Sequence, residues 1–354
     1  MRASTTPRSS RDRAKRSQPL ALRSLAVLTA AAIAAAVCSA RVAAAADANE
    51  YALLQRIPAR VLDTVTNNSE PDSNGAMQLN QARWTDIVYQ RIAIPLIWVG
   101  AVENDTSKID DGWKAIDFAN AHMTQDGGFS TAPGRTMNES EMAFWIAAVT
   151  HAFAVLNESP LGSRYAQREA TALAAIRKNV EWLNADQRVA NLVKFDGPAT
   201  NRLFDDANAF AYSSLLLKDP QLQKRGEYFL QQALAHERSD GVFLEDNGYD
   251  SSYQGASLLN ATYYALLGEN TQLRNALLVG TNREVEAVDT RGGLDTSQNT
   301  RTGGNHMVDG HPYVVDLRAV ILGLYYAGAY LELPSATAAA GRIYVRVTHR
   351  SPDS

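Results

Sequence analysis

From about Asn80 onward, apolar residues recur at steps of three and four with few alternating stretches, the period of helices packed on one face. The pattern predicts helices over 81–102, 109–124, 138–157, 164–185, 203–217, 219–237, 252–267, 269–280 and 313–332. Several open on residues whose side chains can hold free N–H groups, such as Asn138 before Glu139 and Glu141, and Ser252 before the run to Leu267. Turns rich in Gly, Asp and Asn separate them. The predicted fold class is all-α.

Two turns read alike, Gln125-Asp-Gly-Gly-Phe129 and Ser239-Asp-Gly-Val-Phe243. Each ends a helix with an Asp-Gly turn and an aromatic residue, then leads through a short loop into the next helix. Repeated helical hairpins with polar loops gathered at one end predict an α/α toroid, an incomplete barrel whose inner helices line a cleft. A plain helical solenoid is the alternative. Thr281 to Pro312 breaks the pattern: it is polar, lacks periodicity and holds Gly292, Gly293, Gly303, Gly304 and Gly310, which predicts an ordered loop over the cleft. Near the end, Arg342-Ile-Tyr-Val-Arg-Val-Thr348 reads as a strand.

The start of the chain has a different composition. Residues 1–46 carry eight basic residues against the single acid Asp12, enclose the apolar run Leu25–Val37 and end in Arg41-Val-Ala-Ala-Ala-Ala46. This order of basic, apolar and small residues predicts a cleaved signal peptide, a secreted or periplasmic product, and one catalytic domain over 47–354. The apolar run falls short of the ~20 residues a spanning helix needs, although an uncleaved anchor is the alternative. Losing 1–46 moves the formal net charge of the 354-residue chain from −4 to −11, which argues against nucleic acid as a partner. If Cys38, the only cysteine, leaves with the leader, thiol chemistry goes with it; a lipoprotein anchored at Cys38 is the alternative, although Ala-Ala-Val-Cys lacks the usual leucine and small residue before the cysteine.

The densest polar and aromatic stretch runs from Asp240 to Gly255. Tyr249 and Tyr253, four apart, can share one face at a helix N-terminus, where positive potential favours a phenolate. Packing tyrosines with a polar tip are the alternative. Gly-Val-Phe-Leu-Glu-Asp-Asn-Gly-Tyr-Asp-Ser-Ser-Tyr-Gln-Gly resembles a stretch of the hyaluronate and chondroitin lyases and related α/α-toroid polysaccharide lyases: Gly-Ser-Phe, a polar loop, Tyr, three residues, Tyr, Gly. Gly197-Pro-Ala-Thr-Asn-Arg202 is similar to their Gly-Ala-Asn segment.

The resemblance covers roughly residues 195–330 and implies Tyr253 as the group that takes and returns the proton, with Asn201 on the uronate carboxyl. The family's histidine falls near Glu245 or Asp246, and the mature length leaves no room for the β-sandwich domains of the large lyases. Shorter all-helical alginate and glucuronan lyases fit the length better.

Elimination across C4–C5 of a uronate builds negative charge on the carboxyl that must be neutralised, a role for Asn201 with Arg202 or a loop arginine. A tyrosine, ordinarily near pKa 10, needs a cation beside it to act as base. Arg301 is the first candidate and Arg291 the second, with solvated surface charge the alternative for each. His306 and His311 could fill the histidine's role, bind substrate, be ordinary loop residues or, flanked by Asp309, hold a metal, although no regular ligand spacing supports that last reading, and no cofactor is expected. Glu141, Trp145 and Trp113 could line a sugar subsite or belong to a helix start and core, while His151 is expected to be a satisfied core histidine.

These readings make an anionic polysaccharide the expected partner, with no membrane contact after cleavage. A glycoside hydrolase drawing two carboxylates from Asp240, Glu245, Asp246 and Glu141, and a non-catalytic carbohydrate-binding envelope protein, are the competing functions.

Overall fold

The helical pattern reappears in a computed structural model, which describes residues 49–77, 86–131, 137–301 and 313–352, and the backbone of 303–308 and 311–312. The described residues fall within one compact unit, 48–354, and the predicted leader with Cys38 lies outside them. The described fold is all-helical apart from one two-stranded hairpin.

Its helices are α1 (Glu50–Leu54), α2 (Ala59–Thr66), α3 (Ile87–Gln90), α4 (Pro95–Glu103), α5 (Thr106–Ala121), α6 (Glu139–Glu158), α7 (Gly162–Leu183), α8 (Asp186–Asp196), α9 (Thr200–Leu217), α10 (Pro220–Ala235), α11 (Ser251–Leu266), α12 (Thr271–Glu286), α13 (Leu317–Tyr330) and α14 (Pro334–Thr348). Strands β1 (Gly303–Val308) and β2 (His311–Tyr313) pair antiparallel.

Caps set most boundaries. Asp105, Asp219, Asp250, Asn270 and Asp316 each accept backbone N–H groups of the helix they precede, and Asn138 and Glu141 form a reciprocal capping box on α6. Pro95 at the first turn of α4 restarts the chain after a 3₁₀ turn, so the expected helix 81–102 appears, among described residues, as α3, that turn and α4.

Consecutive helices pack as hairpins: α4 with α5, α6 with α7, α9 with α10, α11 with α12, and α13 with α14. The first helices also pack on one another, α6 against α4 and α9, α9 against α11, and α11 against α13. Helix α1 touches α6 and α13, while α2 touches α4 and α13. Two layers follow from burial: α6 and α9 bury residues around most of their circumference, while α14 buries one stripe, Ala336, Ala339, Ala340, Ile343 and Tyr344.

That stripe corrects the expected strand at 342–348. Steps of three and four bury Ile343 and Tyr344 with the alanines, and this tertiary stripe outweighs the β-branched composition. Helices α1, α2 and α8 were not expected, and α12 runs to Glu286, so the long loop begins later than Thr281.

The repeated turn is real and has two further copies. Thr124 N–H bonds Gly128 O and Gly127 N–H bonds Thr124 O; the same pair of bonds recurs at Arg238 with Gly241 and Val242, at Asp289 with Gly292 and Gly293, and at Asp72 with Gly75 and Ala76. Gly241 has φ +83°, and a Cβ there would lie 2.7 Å from the Val279 carbonyl oxygen. The turn therefore docks flush on α12. Gln254 clamps it, accepting Phe243 N–H at 2.9 Å and donating to Gly241 O at 2.9 Å, and Gln90 does the same for Met77 and Gly75 at 2.7 and 2.9 Å. No described helix is long and apolar enough to cross a membrane.

Candidate functional site

The N-termini of α6, α9, α11 and α13 are each preceded by a turn or loop, and side chains from these starts converge. Between α10 and α11, Glu245 and Gly248 exchange backbone bonds across Asp246 and Asn247, whose φ values of +49° and +65° make a tight left-handed turn. Leu244 O accepts both the N–H and hydroxyl of Thr200, and Asp246 N–H donates to Pro198 O, which fixes this turn to the start of α9. Glu245 is thereby buried at the rim, with its side chain only 3% exposed.

The loop before β1 is tied to the same place. Thr300 N–H donates to Tyr249 O at 2.8 Å, and Ser251 Oγ donates to Asn299 Oδ1 at 3.1 Å. Arg301 follows, its Nη1 lying 2.6 Å from Glu245 Oε1 and 3.1 Å from Asp246 Oδ2. Its guanidinium sits 4.8 Å from the ring centroid of the partly exposed Tyr253, whose other partner is Tyr313, stacked at 5.9 Å and 12°. Phenol, guanidinium and carboxyl therefore form one cluster. Burial, opposed by Arg301, raises the Glu245 carboxyl to about 7.

One face of α11 leads inward from this cluster through Ala256, Asn260 and Tyr263, all lining a cavity of about 390 Å³. Arg91 and Asp205 stand in its wall. Burial lowers the Arg91 guanidinium from its usual range, opposed chiefly by Asp205; burial also raises Asp205 to about 7, opposed by Arg91. The Arg91 guanidinium lies 4.6 Å over the Phe144 ring, which shares the lining. Asn260 Nδ2 donates to Asn201 O at 3.3 Å, placing the start of α9 beside the same wall. Asn201 Oδ1 is buried without a protein partner.

The sequence-predicted residues divide. Tyr253 and Arg301 come together, and Arg202 stands close by, half exposed and 3.3 Å from Asp196. Tyr249 does not join them. Its hydroxyl donates to Glu284 at 2.6 Å and is held far above its ordinary pKa by burial and that carboxylate, so it anchors the loop from inside. Trp145 and Trp113 are wholly buried, because their faces of α6 and α5 point into the core, and offer no sugar platform. Glu141 is buried as the third residue of the capping box.

Arg291 is exposed on the 289–293 turn beyond α12, and Asp240 is exposed against Arg238 on the equivalent turn, so neither belongs to the cluster. His151 has the buried partner expected of it, Glu50, at 2.5 Å, and also lines the cavity. The side chains of His306 and His311 lie outside the described residues. Set against family models, curated proteins and solved structures, the chain matches none of them.

Arg91, Asp205, Asn208, Asn260 and Tyr313 were missed. Asp205-Asp206 carried a signal, two adjacent acids inside the apolar run from Leu203 to Leu217, where a helix face otherwise faces the core. Among the described residues no three His, Cys, Asp or Glu side chains gather as a metal-ligand set.

Proposed function

We propose that this protein is an exported polysaccharide lyase of α/α-toroid fold that cleaves a uronate-containing polysaccharide by β-elimination. The toroid is supported by the cycle of neighbours: α4 to α6, α9, α11 and α13, then through α1 and α2 back to α6 and α4. The observation that carries the activity is the cluster in which Arg301 bonds Glu245 and covers the Tyr253 ring at 4.8 Å.

In this reading Tyr253, with the Arg301 guanidinium beside it, acts as base and takes the proton from C5. The C5 electrons form the C4–C5 double bond, the C4–O bond breaks, and the phenol returns the proton to the departing oxygen. Asn201 and Arg301 face the charge that develops on the uronate carboxyl. Glu245 acts through Arg301. At the position where the resemblance places a histidine, a carboxyl titrating at about 7 changes charge in the same range as imidazole. When it is protonated, more of the guanidinium's charge acts on the phenol.

The test is incubation with alginate, glucuronan, hyaluronan and chondroitin, following ultraviolet absorbance of the unsaturated product. One of them is expected to yield it, and Tyr253→Phe is expected to slow the reaction by about 10²–10⁴ with unchanged unfolding. Cleavage that produces reducing ends without that absorbance overturns the reading.

Such an outcome belongs to the second reading, a glycoside hydrolase, which the Asp205 carboxyl favours: raised to about 7 in the cavity wall, it is suited to a general acid. Binding without cleavage of any polymer would instead mark a carbohydrate-binding protein.

A further inference from the structure

The cavity lined by Arg91 and Asp205 holds a cation that the protein does not match. Arg91 sits in the 3₁₀ turn between α3 and α4; its Nε donates to Val88 O at 3.2 Å, and its guanidinium lies over the Phe144 ring. Among the described residues no carboxylate comes within ion-pair distance of its terminal nitrogens, and Asp205 is coupled to it electrostatically without contact. The terminal N–H groups of a guanidinium form a planar fork that a carboxylate fills with two parallel hydrogen bonds. Here the fork is open, in surroundings where burial makes an unmatched cation costly.

The rest of the lining is chiefly apolar. Phe144 and Ala148 of α6, Ala256 and Leu259 of α11, and Ala319 and Leu322 of α13 stand at helical steps of three and four. The alanines leave room, and the volume of about 390 Å³ falls in the range of small-molecule sites, about 300–1,000 Å³. Other polar side chains of the lining are engaged. The His151 and Tyr263 rings lie 4.0 Å apart, and Glu50 of α1 bonds His151 Nε2 at 2.5 Å while accepting the Tyr212 hydroxyl at 2.8 Å. Arg318 pairs with Asp316 at 3.6 Å. A sugar ring carries hydroxyls on every edge and would leave those against α6 and α13 unpaired, whereas an apolar body with a carboxylate at one end leaves none.

We propose that this cavity is a binding site for a small carboxylic acid with an apolar body, its carboxylate seated on the Arg91 fork. The site goes beyond the elimination chemistry and is independent of it. Asp205 makes binding sensitive to pH, since its ionised form repels an entering carboxylate and its protonated form can donate to one. This carboxyl, raised to about 7 by burial, faces Arg91, Asp196 of α8, Arg202 of its own helix and Asn260 of α11. His151, Tyr263, Asp316 and Arg318 are the other ionisable groups of the lining. With only the protonated form admitting the ligand, affinity falls about tenfold from pH 6 to pH 8.

The test is calorimetric titration of the wild-type protein at pH 6 with benzoate, phenylacetate and hexanoate, each against its amide, and with glucuronate. At least one of these apolar carboxylates is expected to bind, with its amide and glucuronate tenfold or more weaker. No binding by any of them, or an amide or glucuronate that binds equally well, overturns the proposal. Ala256→Phe and Ala148→Phe fill the cavity from two different helices, and Arg91→Gln removes the fork. Urea unfolding verifies that each variant folds, and each folded variant is expected to lose tenfold or more; unchanged binding places the ligand elsewhere and overturns the site.

The pH arm needs no variant to begin: wild-type affinity at pH 8 should be about tenfold below that at pH 6, and equal affinities overturn the part given to Asp205. Folded Asp205→Asn is expected to remove the difference, and a dependence that persists in it assigns the titration to another group and likewise overturns that part. None of these titrations reads cleavage, so the lyase reading and this site fail separately.

Discussion

Glu284, on α12, is fully buried; its Oε2 accepts the Tyr249 hydroxyl at 2.6 Å and its Oε1 has no partner. Burial raises this carboxyl from 4.5 to about 7, so between those values the folded protein keeps a proton that the unfolded chain has lost. The stability this gives is complete below the unfolded value and disappears as pH rises through the folded one. At about 1.4 kcal/mol per pH unit, the gap is worth about 3 kcal/mol.

Glu284→Gln keeps an oxygen for Tyr249 and removes the titration. Asp205 and Glu245 shift in the same direction, but they are present in both proteins and cancel in the difference. Urea unfolding at pH 5 and pH 8 reads most of the effect: the variant's stability relative to wild type should rise by about 2.5 kcal/mol across that interval. Parallel profiles would refute the argument, because they would mean that Glu284 does not hold its proton more tightly when folded.

Glu245→Gln mimics the protonated carboxyl next to Arg301; kcat/KM of the wild type should therefore fall away above about pH 7, an inflection missing from the variant, which stays faster there. Glu50→Ala leaves His151 and Tyr212 without their shared carboxylate, and a loss of about 3–5 kcal/mol is expected in urea unfolding, against none if α1 is merely draped on the surface. Gly241→Ala, strained by φ +83° and by Val279, should lose at least about 1–2 kcal/mol, while Gly268→Ala, with nothing within 4 Å, stays within about 0.5 kcal/mol of wild type.

How far the sequence carries depends on the range of the interaction. Helices with apolar steps of three and four were legible, as were caps such as Asn138, since both are local. The strand expected at 342–348 failed because Ile343 and Tyr344 are placed by the helices α14 packs on, which no window reveals. That Arg301 lies beside Tyr253 was legible through the cation a phenol requires of its neighbours. Arg91 and Asp205 were not, because the electrostatic coupling that relates them joins chain segments far apart, although the adjacent acids at 205 and 206 inside an apolar run hinted at burial. For Trp145 and Trp113 the subsite and the core were both left open, and burial decides for the core: an indole's size is visible in sequence, its direction is not.

The carboxylate of Glu50 also bears on where the expected leader could be cut. It stands only a few positions past the expected end of the leader, so a peptidase that trims beyond Asn49 removes the keystone of the buried triad with His151 and Tyr212. Cleavage of the expected leader would thus have a hard inner limit. For anyone producing the protein, an affinity tag belongs after α14 rather than ahead of α1.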